Sequence, residues 1–418
     1  MRRLRTIGSI ALLAASTLLA CRALVGLEAP EVVERPEASF DAGPDADFDA
    51  GFDACATPAP TCAPVIPQRP PADAGDPADA DATEAGDAEV DAGPLNLPRW
   101  FALRKLKLRT KRGDFPGVNL DCQESLCGAD KKLLPGARGS CRPRGDSPVI
   151  CDGPGGIDNG VLSAFEGLLL DNEIPLDIGT ARGLNGVVLY VGNYNGLPSD
   201  PQVTVSVIGS PGILRRQVPC NGEALDGGTF RPCDNGSDEW ALPNGSAVPN
   251  GATGVAEVPL KNTDSTAYVV GGELIAPGLG FLGFASGGKV MSLQSPLLRT
   301  RIRVSPEGQF VLEGVLAGVV DPVNALSVLR TLRIGTPSPL CQEQGLLEGF
   351  RIPLCKGLDS PLDRCSTDPA CEGISVGFEF EATPAAPYVL AQDAGIPIEP
   401  DICADAAPLP RTLAELCP

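Results

Sequence analysis

Carboxylates are the side chains of this sequence that could carry out chemistry, because the 418 residues include 53 Asp and Glu but no His. The lack of imidazole excludes Ser-His-Asp and Cys-His catalysis and His-bound zinc or haem. Two carboxyl groups can still cleave a glycosidic bond. Spacing singles out no pair among Asp152, Asp158, Asp171, Glu173, Asp238, Glu239, Glu273 and Glu313. We therefore expect a non-enzymatic protein, with a histidine-free glycoside hydrolase or lyase that uses paired carboxylates as the alternative.

We expect no motif that binds a cofactor or a metal. The chain has neither a Gly-x-Ser-x-Gly nucleophile elbow nor a complete Gly-rich phosphate loop. Three aspartates alternate in residues 45–51, as in an EF-hand calcium loop. That loop needs Gly at its sixth position and Glu at its twelfth. Here Ala50 is at the sixth position, Gly51 is at the seventh, and Ala56 is at the twelfth. We predict no cofactor and no metal site.

A cluster of cations stands out in a chain whose net charge is −20. Its members are Arg104, Lys105, Lys107, Arg109, Lys111 and Arg112. Leu106 and Leu108 alternate with these cations, as in a strand that buries the leucines and displays a basic row. The first four cations are candidates for binding anionic polysaccharide or lipid headgroups. The alternatives are protection of a sheet edge or contact with an acidic segment of the chain. The negative charge argues against nucleic acid as a partner.

Aromatic residues near turns are candidate sugar sites, because a sugar ring can stack on an exposed aromatic ring while Asp or Asn binds its hydroxyls. Two segments fit: Tyr194-Asn195-Gly196 and Asp238-Glu239-Trp240. Packing in the core is the alternative for both rings.

The N-terminus predicts export. Within residues 1–20, Arg2, Arg3 and Arg5 precede an apolar run over residues 7–19, and this run is too short for a comfortable membrane span. The run ends in Leu-Leu-Ala-Cys at residues 18–21, which resembles a lipoprotein signal with Cys21 as the lipidated residue. In some bacterial lipoproteins an Asp directly after the lipidated cysteine retains the protein in the inner membrane. Residue 22 is Arg here, so the resemblance implies anchoring in a bacterial outer membrane, on its periplasmic or outer face.

Residues 21–94 predict a disordered tether behind that anchor. Within it, residues 28–94 contain 17 Ala, 11 Asp, 11 Pro and 5 Gly, with 17 acidic and 2 basic residues. Charge repulsion and proline favour an extended coil.

The cysteines predict disulfides formed in an oxidising compartment. Apart from Cys21, fourteen remain, with no Cys-x-x-Cys pair: Cys55, Cys62, Cys122, Cys127, Cys141, Cys151, Cys220, Cys233, Cys341, Cys355, Cys365, Cys371, Cys403 and Cys417. Their connectivity is left open, with Cys220–Cys233 the most natural local pair.

The rest of the chain predicts a mainly β fold of the sandwich or jelly-roll type. Alternating or β-branched runs occur at residues 187–191, 203–207, 268–275, 299–304, 310–320 and 376–380. Asn-Gly pairs between them are typical of tight turns. One helix is expected after Asp321, with Pro322 in its first turn and Gly335 beyond its end. We assign residues 95–335 to the β domain and 336–418 to a Cys-rich region, which is separate or part of the same domain.

The combination of lipoprotein signal, Asp-Ala-Gly-Pro tether and the segments at 151–159 and 192–196 resembles uncharacterised cysteine-rich lipoproteins of myxobacteria and related bacteria. The resemblance implies a location in the bacterial envelope and a β-rich exported domain. It identifies no catalytic residues. We therefore expect an envelope lipoprotein that binds polysaccharide or another envelope protein, or that serves as a structural coat or adhesion component.

Overall fold

The computed structural model describes residues 69–70, 99–108, 117–120, 125, 127–128, 132–135, 141–144, 150–153, 156–161, 174–175, 186–214, 224–225, 229–230, 238–251, 254–286, 289–305, 308–332, 338–362, 370–390 and 401–417. The predicted signal, Cys21 and nearly all of the predicted tether lie outside these residues. So do Arg109, Lys111, Arg112 and six of the predicted disulfide cysteines: Cys55, Cys62, Cys122, Cys220, Cys233 and Cys365.

Strands are the predominant secondary structure of the described chain. They are β1 (Trp100–Leu108), β2 (Ile174–Pro175), β3 (Gly186–Gly192), β4 (Asp200–Ser210), β5 (Gly212–Ile213), β6 (Ala224–Leu225), β7 (Thr229–Phe230), β8 (Glu239–Leu242), β9 (Ala247–Pro249), β10 (Ala256–Pro259), β11 (Thr263–Val270), β12 (Glu273–Ala276), β13 (Phe281–Ser286), β14 (Lys289–Val304), β15 (Phe310–Val320), β16 (Ile374–Pro384) and β17 (Ala386–Val389).

Eight strands pair in chain order and the sheet closes on itself. The antiparallel order is β1, β3, β4, β11, β12, β14, β15 and β16, and β16 returns to β1. Closure depends on β14, whose 16 residues pair with β13 near one end and with β12 further along. Because β16 lies between β1 and β15, part of the predicted C-terminal region belongs to the main sheet.

Side-chain alternation explains the burial of β3, in which all seven residues are buried. Val187, Leu189 and Val191 belong to the main core inside the closed sheet. Val188 and Tyr190 face the other way, into a second cluster beneath a small sheet of β17, β8 and β5. Successive side chains of a strand point to opposite faces, so a strand covered on both sides reads as a continuous apolar run.

Two glycines divide a run that the sequence presents as one strand. Residues 268–275 were expected to be continuous, but Gly271 and Gly272 have φ angles of +58° and +76° and form a two-residue turn between β11 and β12. Positive φ at both central positions is typical of the hairpin turn that matches the strand twist. The expected single strand is therefore a hairpin.

Three helices follow β15 or end the chain: α1 (Pro322–Leu329), α2 (Gln344–Lys356) and α3 (Leu413–Leu416). The cap predicted for α1 is confirmed, since the Asp321 carboxylate accepts from Val323 N at 2.7 Å and Asn324 N at 3.2 Å. Leu326, Phe350 and Leu416 bring all three helices into the main core.

Four disulfides link the described cysteines: Cys127–Cys151, Cys141–Cys371, Cys341–Cys403 and Cys355–Cys417. Cys141–Cys371 joins residues 230 apart and so connects the segment before β3 to the segment before β16. The mainly β, disulfide-rich fold is confirmed. In the described part of the C-terminal region, α2 and α3 were not predicted from the sequence. Within the described residues, no helix combines the length and apolar character needed to span a membrane.

Candidate functional site

A cleft of about 410 Å³ lies among the helices and the C-terminal segment, and we call it the helical cleft. Its lining residues are Leu326, Arg330, Cys341, Gln344, Leu347, Glu348, Arg351 and residues 406–410. The walls are aliphatic and two arginines supply positive charge. The volume falls within the ~300–1,000 Å³ range of small-molecule sites.

Helical spacing places the cationic side chains of the cleft. Leu326 and Arg330 stand four residues apart at the end of α1, and Leu347 and Arg351 repeat that Leu-x-x-x-Arg spacing in α2. Residues four apart share one helix face. The Cys341–Cys403 disulfide then ties the chain between these helices to the segment that contributes Ala407 and Leu409. The cleft is therefore built from two helix faces and a covalently held loop.

Arg330 is the most deeply placed polar side chain of the cleft, with only 6% of its surface exposed. Its Nη2 donates to Cys403 O at 2.6 Å and its Nη1 to Ala407 O at 3.4 Å. Among the described residues, its Nε has no hydrogen-bond partner. A buried cation is costly unless a charge or several dipoles compensate it. The guanidinium therefore holds the C-terminal segment and keeps one donor unused.

The acid near Arg330 is engaged elsewhere. Asp401 accepts from Lys289 Nζ at 2.6 Å. That hydrogen bond is the largest cause that lowers the pKa of Asp401, while the charge of Arg330 is a smaller one. Arg330 is thus influenced by Asp401 without a direct ion pair to it in the described structure.

Arg351 is the second cation of the helical cleft and is less buried, with 29% of its side chain exposed. Its Nε donates to Glu348 Oε2 at 2.7 Å, and its Nη1 donates to Leu416 O at 2.8 Å. Glu348 has 61% of its side chain exposed, so solvent weakens this pair. A stronger anionic ligand could replace Glu348 at the guanidinium.

Of the predicted basic row, Arg104, Lys105 and Lys107 lie in β1, and Arg109 is outside the described residues. β1 pairs with β16 along residues 101–107, and on its other side with β3 at residues 100–102 and with β2 at residues 107–108, so it lies inside the sheet. Lys105 and Lys107 stand directly opposite Glu381 and Glu379 of β16, and Lys105 forms an ion pair with Glu381. Opposite charges across a strand pair stabilise the sheet by ~0.2–1 kcal/mol each. Arg104 lies where a bulge shifts the register. The acidic partners offset the positive potential of this row.

Tyr194 and Asn195 form a turn organised by Asp200. The Tyr194 hydroxyl donates to Leu197 O at 2.7 Å, and Asn195 N donates to Asp200 Oδ2 at 2.7 Å. Asn195 Oδ1 in turn accepts from Leu197 N at 2.8 Å. Burial, followed by the charge of Asp200, raises the pKa of Tyr194 to about 12. The polar groups expected to bind sugar hydroxyls are therefore used within the turn.

Asp238 and Trp240 are both buried. Trp240 is only 1% exposed and packs with Trp100 and Tyr190 in the second cluster. Asp238 is 7% exposed. Its backbone carbonyl accepts a hydrogen bond from Ala386 N at 2.9 Å, next to the paired strands β8 and β17. The Trp240 ring is therefore part of the core and not an exposed stacking surface. The structure does not bring these residues together with Tyr194 or with the basic row.

Four of the described candidate carboxylates, those of Asp152, Asp158, Glu273 and Glu313, hold backbone or ion partners. Asp158 Oδ2 accepts from Leu120 N at 2.5 Å, and Asp152 Oδ2 accepts from Ser125 N at 2.5 Å. Glu273 bonds both Arg299 and Arg301, and Glu313 pairs with Arg303. Burial raises the pKa of Glu273, but the two arginines outweigh it and the net shift is downward. A lowered pKa is opposite to what a general acid needs. Asp171 and Glu173 lie outside the described residues.

Residues 278–283 have the Gly-x-Gly-x-x-Gly spacing of dinucleotide-binding loops, so the expectation that no such motif occurs is wrong. That motif works between a parallel strand and the N-terminus of a helix. Here it leads into β13, which forms a hairpin with β14, so no helix dipole is available. Across the described ranges, no group of three or more Cys, Asp or Glu side chains is placed to hold a metal ion.

The comparisons with known proteins do not extend this description. The chain matches no protein-family model, no curated protein and no solved structure. The helical cleft is therefore assigned as the candidate site from its own geometry.

Proposed function

We propose that this chain is an exported lipoprotein, anchored by Cys21 in a bacterial outer membrane, that displays a non-enzymatic binding domain. The proposed location rests on the signal and lipidation pattern of residues 1–21. The disulfides fit an oxidising compartment outside the cytoplasm. The binding role rests on one observation: a cleft of about 410 Å³ that is lined by two arginines, Arg330 and Arg351, together with aliphatic side chains.

The ligand we propose is a carboxylate-bearing sugar at the end of an acidic envelope polysaccharide. Arg330 and Arg351 supply planar donors that suit a carboxylate. Leu347 and Leu409, which are partly exposed, provide apolar surface for the C–H faces of the sugar rings. The volume suits a short terminal segment and not the length of a polymer.

Binding of short acidic oligosaccharides tests this proposal. The full mature chain with its native disulfides is titrated with galacturonate oligosaccharides of two to four units, and with neutral galactose oligosaccharides of equal length, by calorimetry. We expect heat of binding only with the acidic series. Arg351→Gln should weaken binding about tenfold or more, since a hydrogen bond to a charged group contributes about 1.5–3 kcal/mol. Glu348→Gln should strengthen binding, because it removes the competing carboxylate.

Arg303→Gln is the matched control. This variant loses the same charge as Arg351→Gln, but Arg303 pairs with Glu313 on the sheet and 56% of its side chain is exposed. The affinity of Arg303→Gln for the acidic oligosaccharides should equal that of the unmodified chain. Circular dichroism of each variant checks that it is folded. Equal affinity for acidic and neutral sugars, or for Arg351→Gln and the unmodified chain, would overturn the proposal. Shortened oligosaccharides after incubation would support the enzymatic alternative instead.

Cys21→Ser tests the anchor independently of the ligand. The unmodified chain and the variant are each expressed in bacteria supplied with a radiolabelled fatty acid. The unmodified chain should incorporate the label and sediment with the outer membrane. The Cys21→Ser variant should carry no label and should be absent from the outer-membrane fraction, because the acyl chains supply the membrane affinity. Labelling that persists in Cys21→Ser contradicts lipidation at this residue.

A further inference from the structure

One residue of the predicted tether, Arg69, contacts the main sheet, and its neighbour Pro70 is buried. Arg69 Nη2 donates to the carbonyl of Thr266 in β11, 197 positions along the chain. The Arg69 guanidinium carbon also lies 5.4 Å from the centroid of the Tyr268 ring, within the range of a cation–π contact. A segment whose composition predicts solvation is therefore held at this point by a hydrogen bond, a ring contact and apolar burial.

The surface that receives Arg69 is shaped by a buried carboxylate. Asp264 is 2% exposed, and its Oδ1 accepts from Thr266 N and Thr266 Oγ1, both at 2.7 Å. Its Oδ2 accepts from Gly278 N at 2.7 Å. The register between β11 and β4 shifts between Asp264 and Ala267. Asp264 thus fixes a bulge from which the Thr266 carbonyl meets Arg69.

Tyr268 supplies the apolar part of this surface. It is 2% exposed and packs in a cluster with Val118, Ile275 and Leu297. Burial raises its pKa, and the positive charges of Arg69 and Arg299 offset part of that rise. The Arg69 contact is therefore close enough to act on the Tyr268 hydroxyl as well as on its ring.

We infer that the Thr266 carbonyl and the Tyr268 ring form a docking site on β11 for an Arg-Pro segment, occupied by residues 69–70 of the same chain. This site is distinct from the helical cleft and does not depend on the proposed function. Docking divides the predicted tether into 47 residues between Cys21 and Arg69 and 28 residues between Pro70 and Arg99. A covalently linked segment acts at an effective concentration of order mM, so a weak contact suffices to keep it bound.

The tether provides its own control, because residues 28–94 contain two basic residues, Arg35 and Arg69. The mature chain with native disulfides is exposed to hydroxyl radicals, and oxidation of each tyrosine and tryptophan is measured by mass spectrometry. Arg69→Ala should raise oxidation of Tyr268 severalfold, and Arg35→Ala should leave it unchanged. Trp240 is buried in a separate cluster and serves as an internal reference for the fold.

A peptide of residues 65–74 completes the test. Added at mM concentration to the Arg69→Ala variant, it should restore protection of Tyr268, and the same peptide with Ala in place of Arg69 should not. Unchanged oxidation of Tyr268 in the Arg69→Ala, Pro70→Ala double variant would show that its burial does not need the tether. That result, or failure of the peptide to restore protection in Arg69→Ala, overturns the inference.

Discussion

At the scale of single residues, buried and half-buried carboxylates define local structure more than they define a reactive site. Asp200 organises the turn after β3, Asp264 fixes the bulge in β11, and Asp321 caps α1. Each carboxylate accepts backbone N–H donors, which a folded chain must satisfy when they are out of water. These aspartates are recognisable in the sequence as turn or cap residues, but only Asp321 stands in a pattern that predicts its partner.

Tyr194 gives a pH-dependent prediction. An unperturbed tyrosine titrates near ~10, while burial and Asp200 raise the pKa of Tyr194 to about 12 in the folded chain. The unfolded state therefore releases this proton first as the pH rises. The stabilisation is fully present below pH ~10 and is lost as the pH rises toward about 12. Denaturant unfolding at a series of pH values should show the free energy of unfolding falling across this interval.

Tyr194→Phe should flatten that decline. It should also lower the free energy of unfolding by about 1 kcal/mol at pH 8, because the hydrogen bond to Leu197 O is lost. Tyr268 also has a raised pKa, so a smaller slope should remain in the variant. A Tyr194→Phe variant with the full slope of the unmodified chain would show that another group titrates in this interval.

At the scale of elements, strands were predictable where apolar side chains alternate or are β-branched. The run at 310–320 coincides with β15, and Val376, Phe378 and Phe380 of β16 all face the main core.

Turn glycines were predictable in part. Gly196 and Gly245 have φ angles of +82° and +73° in turns, whereas Gly186 of another Asn-Gly pair begins β3. An Asn-Gly pair permits a tight turn but does not require one.

Helix α2 shows why another element could not be predicted. Its 13 residues include Gly345, Gly349 and Pro353, which are poor helix formers. Phe350 and Leu354 are nevertheless buried in the main core, and the Cys355–Cys417 disulfide ties the helix to the C-terminus. Tertiary packing and a covalent link therefore override a weak local preference. The helical cleft escaped prediction for the same reason, since one of its walls is a face of α2.

At the scale of the whole molecule, the disulfides join parts of the chain that the sequence presents as separate groups. Cys127–Cys151 closes a short loop of 24 residues, whereas Cys141–Cys371 spans 230. A crosslink removes more entropy from the unfolded chain when its loop is longer. The long disulfide also connects the predicted β domain to the predicted C-terminal region.

Removing the long disulfide should therefore destabilise the protein more than removing the short one. For the Cys141→Ser, Cys371→Ser variant, loop entropy gives a loss of about 5.5 kcal/mol, against about 3.5 kcal/mol for Cys127→Ser, Cys151→Ser. Guanidinium unfolding of the two double variants measures the difference. An equal or larger loss in the short-loop variant would show that local packing and not loop closure determines the contribution of these disulfides.

The sequence by itself determined the β-rich class, the use of cysteine for disulfides and the capped start of α1, because each depends on residue types and short-range spacing. Tertiary structure alone decided that the sheet closes, that β1 lies between two strands, that Cys141 pairs with Cys371, and that Arg69 meets Tyr268. It also decided where Arg330 stands in the helical cleft. These features join residues tens to hundreds of positions apart, and their partners are chosen by packing and hydrogen-bond satisfaction, which no local pattern records.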